Sequence, residues 1–321
     1  MDDIASVENL IGKCISNEKK KILIIYDDTT ENILEEFTCA LKKLDKECWK
    51  EKNKSSVCHG KEPSLEIKKR MLSSEAVICL TQYSLAHTKA RKEAEEKGIP
   101  FLSLPNYDRA ILSNEAMQVD YFDKIGLVEK YTSSLSQGHY VEIETELGTA
   151  LELDISNRLG NCCPGCTTDC YLLGSPPDIE ANIAPNEEKT QGIIVIDGSV
   201  TDERIGLLKK PVTMNIVDGK ICCVCSDDKY VEKLVQEILT NIGSEKAFIV
   251  GELGIGFNDK AKLCGNMLID EGAMGCIHFG MGSNWTIGGK NKVDFHLDFV
   301  MTAATVKVDG IKIIDKGALV L

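Results

Sequence analysis

A histidine and an aspartate interrupt the apolar run VDFHLDFVM, residues 293–301, two positions apart. Side chains alternate between the two faces of a β-strand, so His296 and Asp298 are expected to lie side by side on one face. Such a pair is either a hydrogen-bonded polar pair in a core or two ligands of a metal ion. A His-x-Asp motif taken alone is more often the polar pair, so a metal site requires further ligands.

Two further candidate ligands lie in glycine-bearing apolar runs. His278 stands at the end of an apolar strand in GCIHFGMG, where glycines let a backbone or a ligand approach closely. Glu252 leaves an apolar strand in VGELGIGFN. Two imidazoles and a carboxylate bind a divalent transition metal and leave coordination positions open for substrate. Because burying these ionisable groups without a metal or partner would be costly, a metal centre becomes as well supported as a polar cluster.

A cysteine motif, NCCPGCTTDC, is the other group of residues with metal-binding potential. Its members are Cys162, Cys163, Cys166 and Cys170. The CxxC spacing is typical of zinc sites and comes near iron–sulfur spacing. The second tight group, Cys222, Cys223 and Cys225, has the pattern of a hairpin strand. Packed, reduced thiols are therefore favoured, and one near a pocket could act as a nucleophile.

The N-terminal part alternates strand and helix patterns. Continuously apolar segments predict strands at 20–28, 74–82 and 99–105. Helical spacing of apolar residues predicts a helix over 31–44, and Gly98 is placed to end a second, charged helix. Strand–helix–strand order predicts a parallel, Rossmann-like sheet. No GxGxxG follows the first strand, so a dinucleotide is not indicated.

The pattern changes near residue 140. Short β-like runs alternate with turn signals, and Asp218-Gly219 and Asp309-Gly310 each lie between β-branched runs, as in hairpins. One helix is predicted within 227–243. The expected fold is an α/β Rossmann-like N-terminal domain, 1–140, followed by an α+β, mostly antiparallel, metal-binding catalytic domain, 141–321.

Composition restricts the possible partners. The 321 residues carry a net charge of −13, which disfavours nucleic acid and anionic membranes because phosphates would be repelled. No apolar run approaches the ~20 residues of a membrane span. The start has the apolar spacing of an amphipathic helix and not the layout of a signal peptide. We therefore expect a cytoplasmic protein whose 14 cysteines are reduced.

Several blocks, in order along nearly the whole chain, resemble one known group of proteins. GELGIGFN, GCIHFGMG and FHLDFVM are similar to the C-terminal half of aminopeptidase T (M29-type) metallopeptidases, and still more to 2,5-dihydroxypyridine 5,6-dioxygenase-like proteins. AVICLTQYSLAHTKARKEAEEKGIPFLSLP is similar to that group's Ser-Leu-x-His-Thr segment. PPDIEANIAPNEEKTQGIIVIDGS resembles its Pro-x-x-Glu…Ala-Pro stretch. Members of the group carry out different chemistries, so family and activity are separate predictions.

The resemblance implies roles for individual residues. It makes His278, His296 and Asp298 metal ligands, Glu252 a metal-binding or bridging carboxylate, and Glu180 a second glutamate of the site. In the dioxygenase-like relatives three ligands hold one Fe(II).

Two more positions follow from the same resemblance. The peptidases have a tyrosine seven residues beyond the first histidine, and Trp285 stands there instead. An indole cannot ligate a metal or act as a phenolic acid, which puts a complete two-metal peptidase site in doubt. His87 matches the histidine of the Ser-Leu-x-His-Thr segment, near the substrate in that group. Its place in a loop after a parallel strand is where α/β sheets present ligand groups.

Three functions are left open. The first is a metal-dependent hydrolase resembling aminopeptidase T, which cleaves a peptide N-terminus or small amide with metal-activated water and Glu252 or Glu180 as general base. The second is a mononuclear Fe(II) ring-cleaving dioxygenase, with His87 handling a substrate proton. The third is a non-catalytic metal- or ligand-binding protein.

The sequence slightly favours the hydrolase. Both glutamates of the peptidase pattern are present, and thiols near iron and dioxygen are prone to oxidation. The expected cofactor is a divalent metal ion, Fe(II), Zn, Mn or Co, and the expected substrate a small molecule or short peptide. The resemblance also implies a homo-oligomer.

Overall fold

The computed structural model describes residues 3–54 and 59–321. Contacts divide the chain into two compact units, Met1–Phe122 with Cys163–Pro177, and Asp123–Cys162 with Asp178–Leu321. The units interleave along the chain, because the segment Cys163–Pro177 belongs with the first one. The division into 1–140 and 141–321 stays a prediction.

The first unit is built on a five-stranded sheet in which every pair is parallel, in the order β2-β1-β3-β4-β8. Its strands are β1 (Lys21–Tyr26), β2 (Glu47–Lys52), β3 (Ala76–Leu80), β4 (Phe101–Ser103) and β8 (Leu173–Gly174). Its helices are α1 (Asp3–Cys14), α2 (Leu34–Lys43), α3 (Leu65–Met71), α4 (Lys89–Glu95) and α5 (Arg109–Leu112), with 3₁₀ turns at Glu31–Ile33 and Glu115–Gln118.

The continuously apolar runs of this unit form its central strands because both faces of a parallel sheet are covered. All five residues of β3 are buried. Leu23, Val77 and Phe101 pack in one core cluster with Ile67 of α3 and Ala90 of α4. The strands predicted at 20–28, 74–82 and 99–105 and their parallel pairing are confirmed, and the finer Rossmann-like assignment stays a prediction.

An antiparallel sheet of eight strands belongs to the second unit, in the order β14-β13-β10-β6-β5-β18-β19-β20. Its strands are β5 (Tyr140–Glu144), β6 (Ala150–Asp154), β10 (Gln191–Ile196), β13 (Val212–Val217), β14 (Lys220–Ser226), β18 (Thr305–Val308), β19 (Ile311–Asp315) and β20 (Ala318–Leu319). Both predicted hairpins are confirmed. Asp218 and Gly219 have φ of 49° and 74°, and Asp309 and Gly310 have 47° and 79°, the positive values that a two-residue hairpin turn requires.

A seven-stranded sheet completes the second unit, in the order β12-β11-β17-β16-β15-β9-β7. Its strands are β7 (Asn161–Cys163), β9 (Glu180–Ile183), β11 (Ser199–Val200), β12 (Gly206–Leu207), β15 (Val250–Gly256), β16 (Ile277–Gly282) and β17 (His296–Met301). From β9 to β17 the neighbouring strands pair antiparallel, which confirms that the part of the chain after about residue 140 is mostly antiparallel.

The remaining helices are α6 (Tyr121–Gln137), α7 (Lys229–Asn241) and α8 (Met267–Asp270), with 3₁₀ turns at Glu245–Phe248 and Trp285–Ile287. The helix predicted within 227–243 is therefore confirmed. Asp228 caps its N-terminus, where the aspartate side chain accepts hydrogen bonds from the backbone N–H groups of Tyr230 and Val231. Within residues 3–54 and 59–321, no helix is long and apolar enough to cross a membrane.

Candidate metal centre

Four adjacent strands of the seven-stranded sheet bring the predicted site residues of the second unit together. Strand β9 carries Glu180, β15 carries Glu252, β16 carries His278, and β17 carries His296 and Asp298. All except the half-buried His296 are buried. Because residues two apart in a strand share a face, His296 and Asp298 point the same way, as the sequence predicted. His278 is the second residue of β16, and therefore stands at the beginning of its strand and not at the end.

Strand register places a glycine beside each ligand-bearing position. Gly280 of β16 pairs with Glu252 on one side and with Asp298 on the other. Gly254 of β15 pairs with His278. Across the sheet, each residue with a candidate ligand side chain therefore lies next to a glycine on the neighbouring strand. Because glycine has no side chain, it leaves space above the sheet for the ligand side chain beside it.

Two of these glycines are required by close approach. A Cβ on Gly254 would lie 2.1 Å from Nε2 of His278. A Cβ on Gly280 would lie 2.6 Å from Nε2 of His296 and 2.9 Å from Cβ of Glu252. Real Cβ atoms do not tolerate such distances, so both imidazole rings rest on glycine backbone.

The donor atoms form two groups that share one carboxylate. Glu180, Glu252 and His278 make one group, and Glu252, His296 and Asp298 make the other; within each group the ligand atoms lie within 4.8 Å of one another. Nε2 of His278 is 3.1 Å from Oε2 of Glu180. Nε2 of His296 is 3.2 Å from Oε2 of Glu252 and 3.0 Å from Oδ1 of Asp298. The set His278, His296 and Asp298 is thus divided between the groups, with Glu252 common to both.

The hydrogen bonding of these residues fits a metal. Nδ1 of His296 lies 3.0 Å from the carbonyl oxygen of Ser283, which can only accept, so Nδ1–H donates there and Nε2 is left to face the carboxylates. Among the described residues, buried Nδ1 of His278 has no hydrogen-bond partner, and buried Oε2 of Glu180 has no partner besides its ion-pair contact with Nε2 of His278. Buried polar atoms are normally satisfied, so a bound cation is a chemically suitable partner for this donor set.

Burial and mutual charge set the protonation of the metal-free site. Burial opposes charge on His278, but the carboxylates of Glu180, Asp298 and Glu252 outweigh it and raise the pKa of His278 to about 9. For His296 as well, burial opposes the charge, but the nearby carboxylates outweigh burial and raise the pKa. Burial raises the pKa of Glu252. For Asp298, the neighbouring imidazoles outweigh burial and lower the pKa.

These shifts predict how the metal-free protein responds to pH. His278 has a folded pKa of about 9 against about 6.5 unfolded, so its imidazolium stabilises the fold by roughly 3 kcal/mol. That contribution is fully present below about pH 6.5 and is lost as pH rises through about 9. Urea unfolding of chelator-treated protein at a series of pH values across this range should show the free energy of unfolding falling as pH rises. If His278→Gln keeps the same slope, the assignment to His278 is wrong.

Three residues that the sequence analysis did not select lie at the same site. Asp178 and Glu271 are buried carboxyls whose pKa values are raised, first by burial and then by the nearby carboxylates of the site. Asn182 donates from Nδ2 to Oε1 of Glu180 at 2.7 Å. The available signal was weak: Asp178 and Asn182 stand two positions before and after Glu180, on the same face of an extended chain.

Glu180 lies in a segment whose prolines, at positions 176, 177 and 185, are typical of a loop. Glu180–Ile183 is nevertheless a fully buried strand paired with β15. Trp285 begins a 3₁₀ turn, and its ring lies 4.8 Å from Nζ of Lys292. His87 lies in the first unit, in the loop before α4. Its predicted role near the substrate stays a prediction.

The cysteine motif is separate from both donor groups. Cys166 is buried, Cys162 and Cys163 are half-buried, and Cys170 is exposed. Within residues 3–54 and 59–321, the two groups with metal-binding geometry contain none of these cysteines. Their packing as reduced thiols stays the preferred interpretation.

Solved structures with the same fold come from two kinds of enzyme. A 2,5-dihydroxypyridine dioxygenase from Pseudomonas putida KT2440 superposes with a TM-score of 0.83 at 13% identity, over 99% of this chain and 96% of that one. AmpT, an aminopeptidase T from Thermus thermophilus, gives 0.69 at 13% identity, over 99% of each chain. At this identity the likeness establishes the fold alone.

Sequence comparison identifies the family. A search of curated protein sequences gives no significant match. The family profile described as NicX, 2,5-dihydroxypyridine 5,6-dioxygenase, matches residues 13–321, nearly the whole chain. The protein therefore belongs to the 2,5-dihydroxypyridine 5,6-dioxygenase (NicX) family.

Proposed function

We propose that the protein is a metal-dependent hydrolase whose centre takes two divalent ions. The observation that carries this proposal is the pair of donor groups joined by Glu252. A mononuclear site needs three protein ligands, and the second group would then be surplus. Paired divalent ions close to one another are typical of aminopeptidases and other hydrolases.

The charge of the site supports two ions. Glu180, Glu252 and Asp298 supply three negative charges when ionised, whereas burial favours the protonated form of Asp178 and Glu271. With one divalent ion the site would keep a net negative charge, and with two it would be positive and suited to a carbonyl oxygen. Bound there, divalent ions would polarise a carbonyl and lower the pKa of water.

The carboxylates of the site would then have different roles. Glu252 belongs to both groups, so it would serve as a shared ligand and not as a free base. Glu180 is the better candidate for general base, because Asn182 fixes its Oε1 while its buried Oε2 lies 3.1 Å from Nε2 of His278, turned toward the donor groups. Asn182 would thereby orient the carboxylate that takes a proton from water.

The proposed substrate is a peptide N-terminus or another small amide, and it rests on the resemblance to aminopeptidase T. The homo-oligomer, the cytoplasmic location and the proton-handling role of His87 stay predictions. The net charge of −13 continues to disfavour nucleic acid as a partner.

Family membership favours a second candidate, an Fe(II) ring-cleaving dioxygenase. This enzyme would use one ion, held by His296 and Asp298 with a third ligand from His278 or Glu252. Two imidazoles and a carboxylate are the usual ligands of non-haem Fe(II) oxygenases.

Elemental analysis of anaerobically purified protein separates the two candidates. Two zinc, manganese or cobalt ions per chain, with release of an N-terminal amino acid from short peptides, are the results expected of the hydrolase. One iron per chain and oxygen consumption with a dihydroxylated ring substrate would replace it with the dioxygenase. Metal retention without turnover of either substrate class would favour a binding protein.

His296→Ala is expected to abolish metal retention at the group containing Asp298, with at least about 100-fold weaker binding. Loss of its imidazole leaves two carboxylates as the only donors there. The matched control is His139→Ala, because His139 is an exposed histidine outside both donor groups and its side chain pairs with Asp309. Metal content by elemental analysis and circular dichroism are the readouts. Full metal content in the folded His296→Ala protein would show that this group is not a metal site.

A further inference from the structure

Three cysteines outside the metal centre lie together on the edge of the eight-stranded sheet. Cys222, Cys223 and Cys225 are exposed residues of β14. Strand β14 is the last strand of the sheet and pairs with β13. Neither the proposed hydrolase nor the dioxygenase uses them, and free cysteine is among the most buried residue types, so three exposed thiols on one short strand are unusual.

A β-bulge explains why these thiols face solvent. Asn215 pairs with Cys223, but the next residue of β13, Ile216, pairs with Ile221, so Cys222 is the extra residue of β14. The bulge breaks the alternation of faces at Cys222, so that Ile221 and Val224 are both buried although they are three positions apart. Beyond the bulge the ordinary alternation resumes, and Cys223 and Cys225, two positions apart, share the outer face of the strand.

The two thiols on the outer face are in contact. Sγ of Cys223 lies 3.4 Å from Sγ of Cys225. Sγ of Cys222 is directed elsewhere, 3.6 Å from the carbonyl oxygen of Lys220. The hydrogen bond and charge of Cys225 raise the pKa of Cys223, because two thiolates at this distance repel each other. A cation between the two sulfurs would remove that repulsion.

We propose that Cys223 and Cys225 form a solvent-facing site for a soft monovalent cation, Cu(I), separate from the metal centre. Thiolates are soft ligands that select Cu(I) or zinc among biological metals. Structural zinc takes four protein ligands, at about 2.3 Å for sulfur. Neither Cys223 nor Cys225 belongs to a group of three or more donors among the described residues, and two thiolates alone suffice for Cu(I). Binding displaces one proton from each thiol.

The test titrates the holoenzyme anaerobically with Cu(I) against a chromophoric Cu(I) chelator. We expect Cys223→Ser/Cys225→Ser to bind one Cu(I) fewer per chain than the unmodified protein, whereas Cys222→Ser binds the same number. Serine at exposed strand positions is close to neutral for stability, so circular dichroism should show all three proteins folded. Equal stoichiometry in the double variant and the unmodified protein would overturn the proposal.

Alkylation mapped by mass spectrometry locates the ion independently. One equivalent of Cu(I) should slow iodoacetamide modification of Cys223 and Cys225 at least tenfold and leave exposed Cys170 unchanged. If Cu(I) slowed the alkylation of Cys170 to the same extent, the binding would be adventitious and the proposal would be wrong. A Cys223–Cys225 disulfide recovered from anaerobic, reductant-treated protein would also sink it, because the thiols would then be a redox pair.

Discussion

We expect Glu252→Gln to release metal from both donor groups at once and to lower catalytic activity at least about 10³-fold, since metal ions supply several kcal/mol of transition-state stabilisation. Glu252 is the one residue common to the two groups. Glutamine has the same shape but brings neither negative charge nor a second acceptor oxygen. Elemental analysis of dialysed protein and initial rates on a short peptide measure the two effects.

The same substitution should not unfold the protein. Burial raises the pKa of Glu252 in the metal-free state, so ionised Glu252 costs stability at neutral pH and a neutral isostere removes that cost. Chelator-treated Glu252→Gln should therefore be at least as stable in urea as chelator-treated unmodified protein. Glu142→Gln, an exposed glutamate on β5, is the matched control and should change neither metal content nor rate.

Partial metal loss would give a different answer. If Glu252→Gln keeps one ion per chain at its original affinity, Glu252 serves only one group. The two-ion centre is then wrong, and the single-ion dioxygenase that the family suggests becomes the better proposal.

Local sequence patterns predicted the parts of the site that depend on one strand. Period-two alternation correctly placed His296 beside Asp298, because side-chain direction within a strand is a local property. Glycines within apolar runs marked the strands where side chains approach backbone, and Gly254 and Gly280 are such positions. The hairpins at Asp218 and Asp309 were readable for the same local reason.

Pairing between distant strands could not be read in the same way. Glu180 reaches the site because Ile183 pairs with Leu253, a register set by packing over a long sequence separation. Because proline is typical of loops, the prolines on either side of that segment gave no indication that it is a strand. Division of the ligands into two groups also depends on strand register. Local patterns grouped His278, His296 and Asp298, and the position of Glu252 in both groups was implied by the resemblance alone.

Gly280→Ala is the second substitution with a large expected effect. The new methyl group would lie 2.5 Å from Cε1 of His296 and 2.9 Å from Cβ of Glu252, so one or both side chains must move. Metal ligands displaced by about 1 Å lose their geometry, and we expect affinity at the group containing His296 to fall at least about 100-fold. Overpacking should also cost about 1–3 kcal/mol of the free energy of unfolding.

Gly126→Ala provides the matched control. Gly126 lies within α6, and an added Cβ there meets no atom within 4 Å, so alanine should stabilise the protein by about 0.5–1 kcal/mol and leave metal binding unchanged. Gly254→Ala should instead disturb His278, whose Nε2 would lie 2.1 Å from the new methyl group. If Gly280→Ala and Gly254→Ala each weaken a different one of two bound ions, the two donor groups are separate sites on one sheet. If Gly280→Ala binds metal like the unmodified protein, the His296 ring does not rest on Gly280, and the proposed geometry of that group fails.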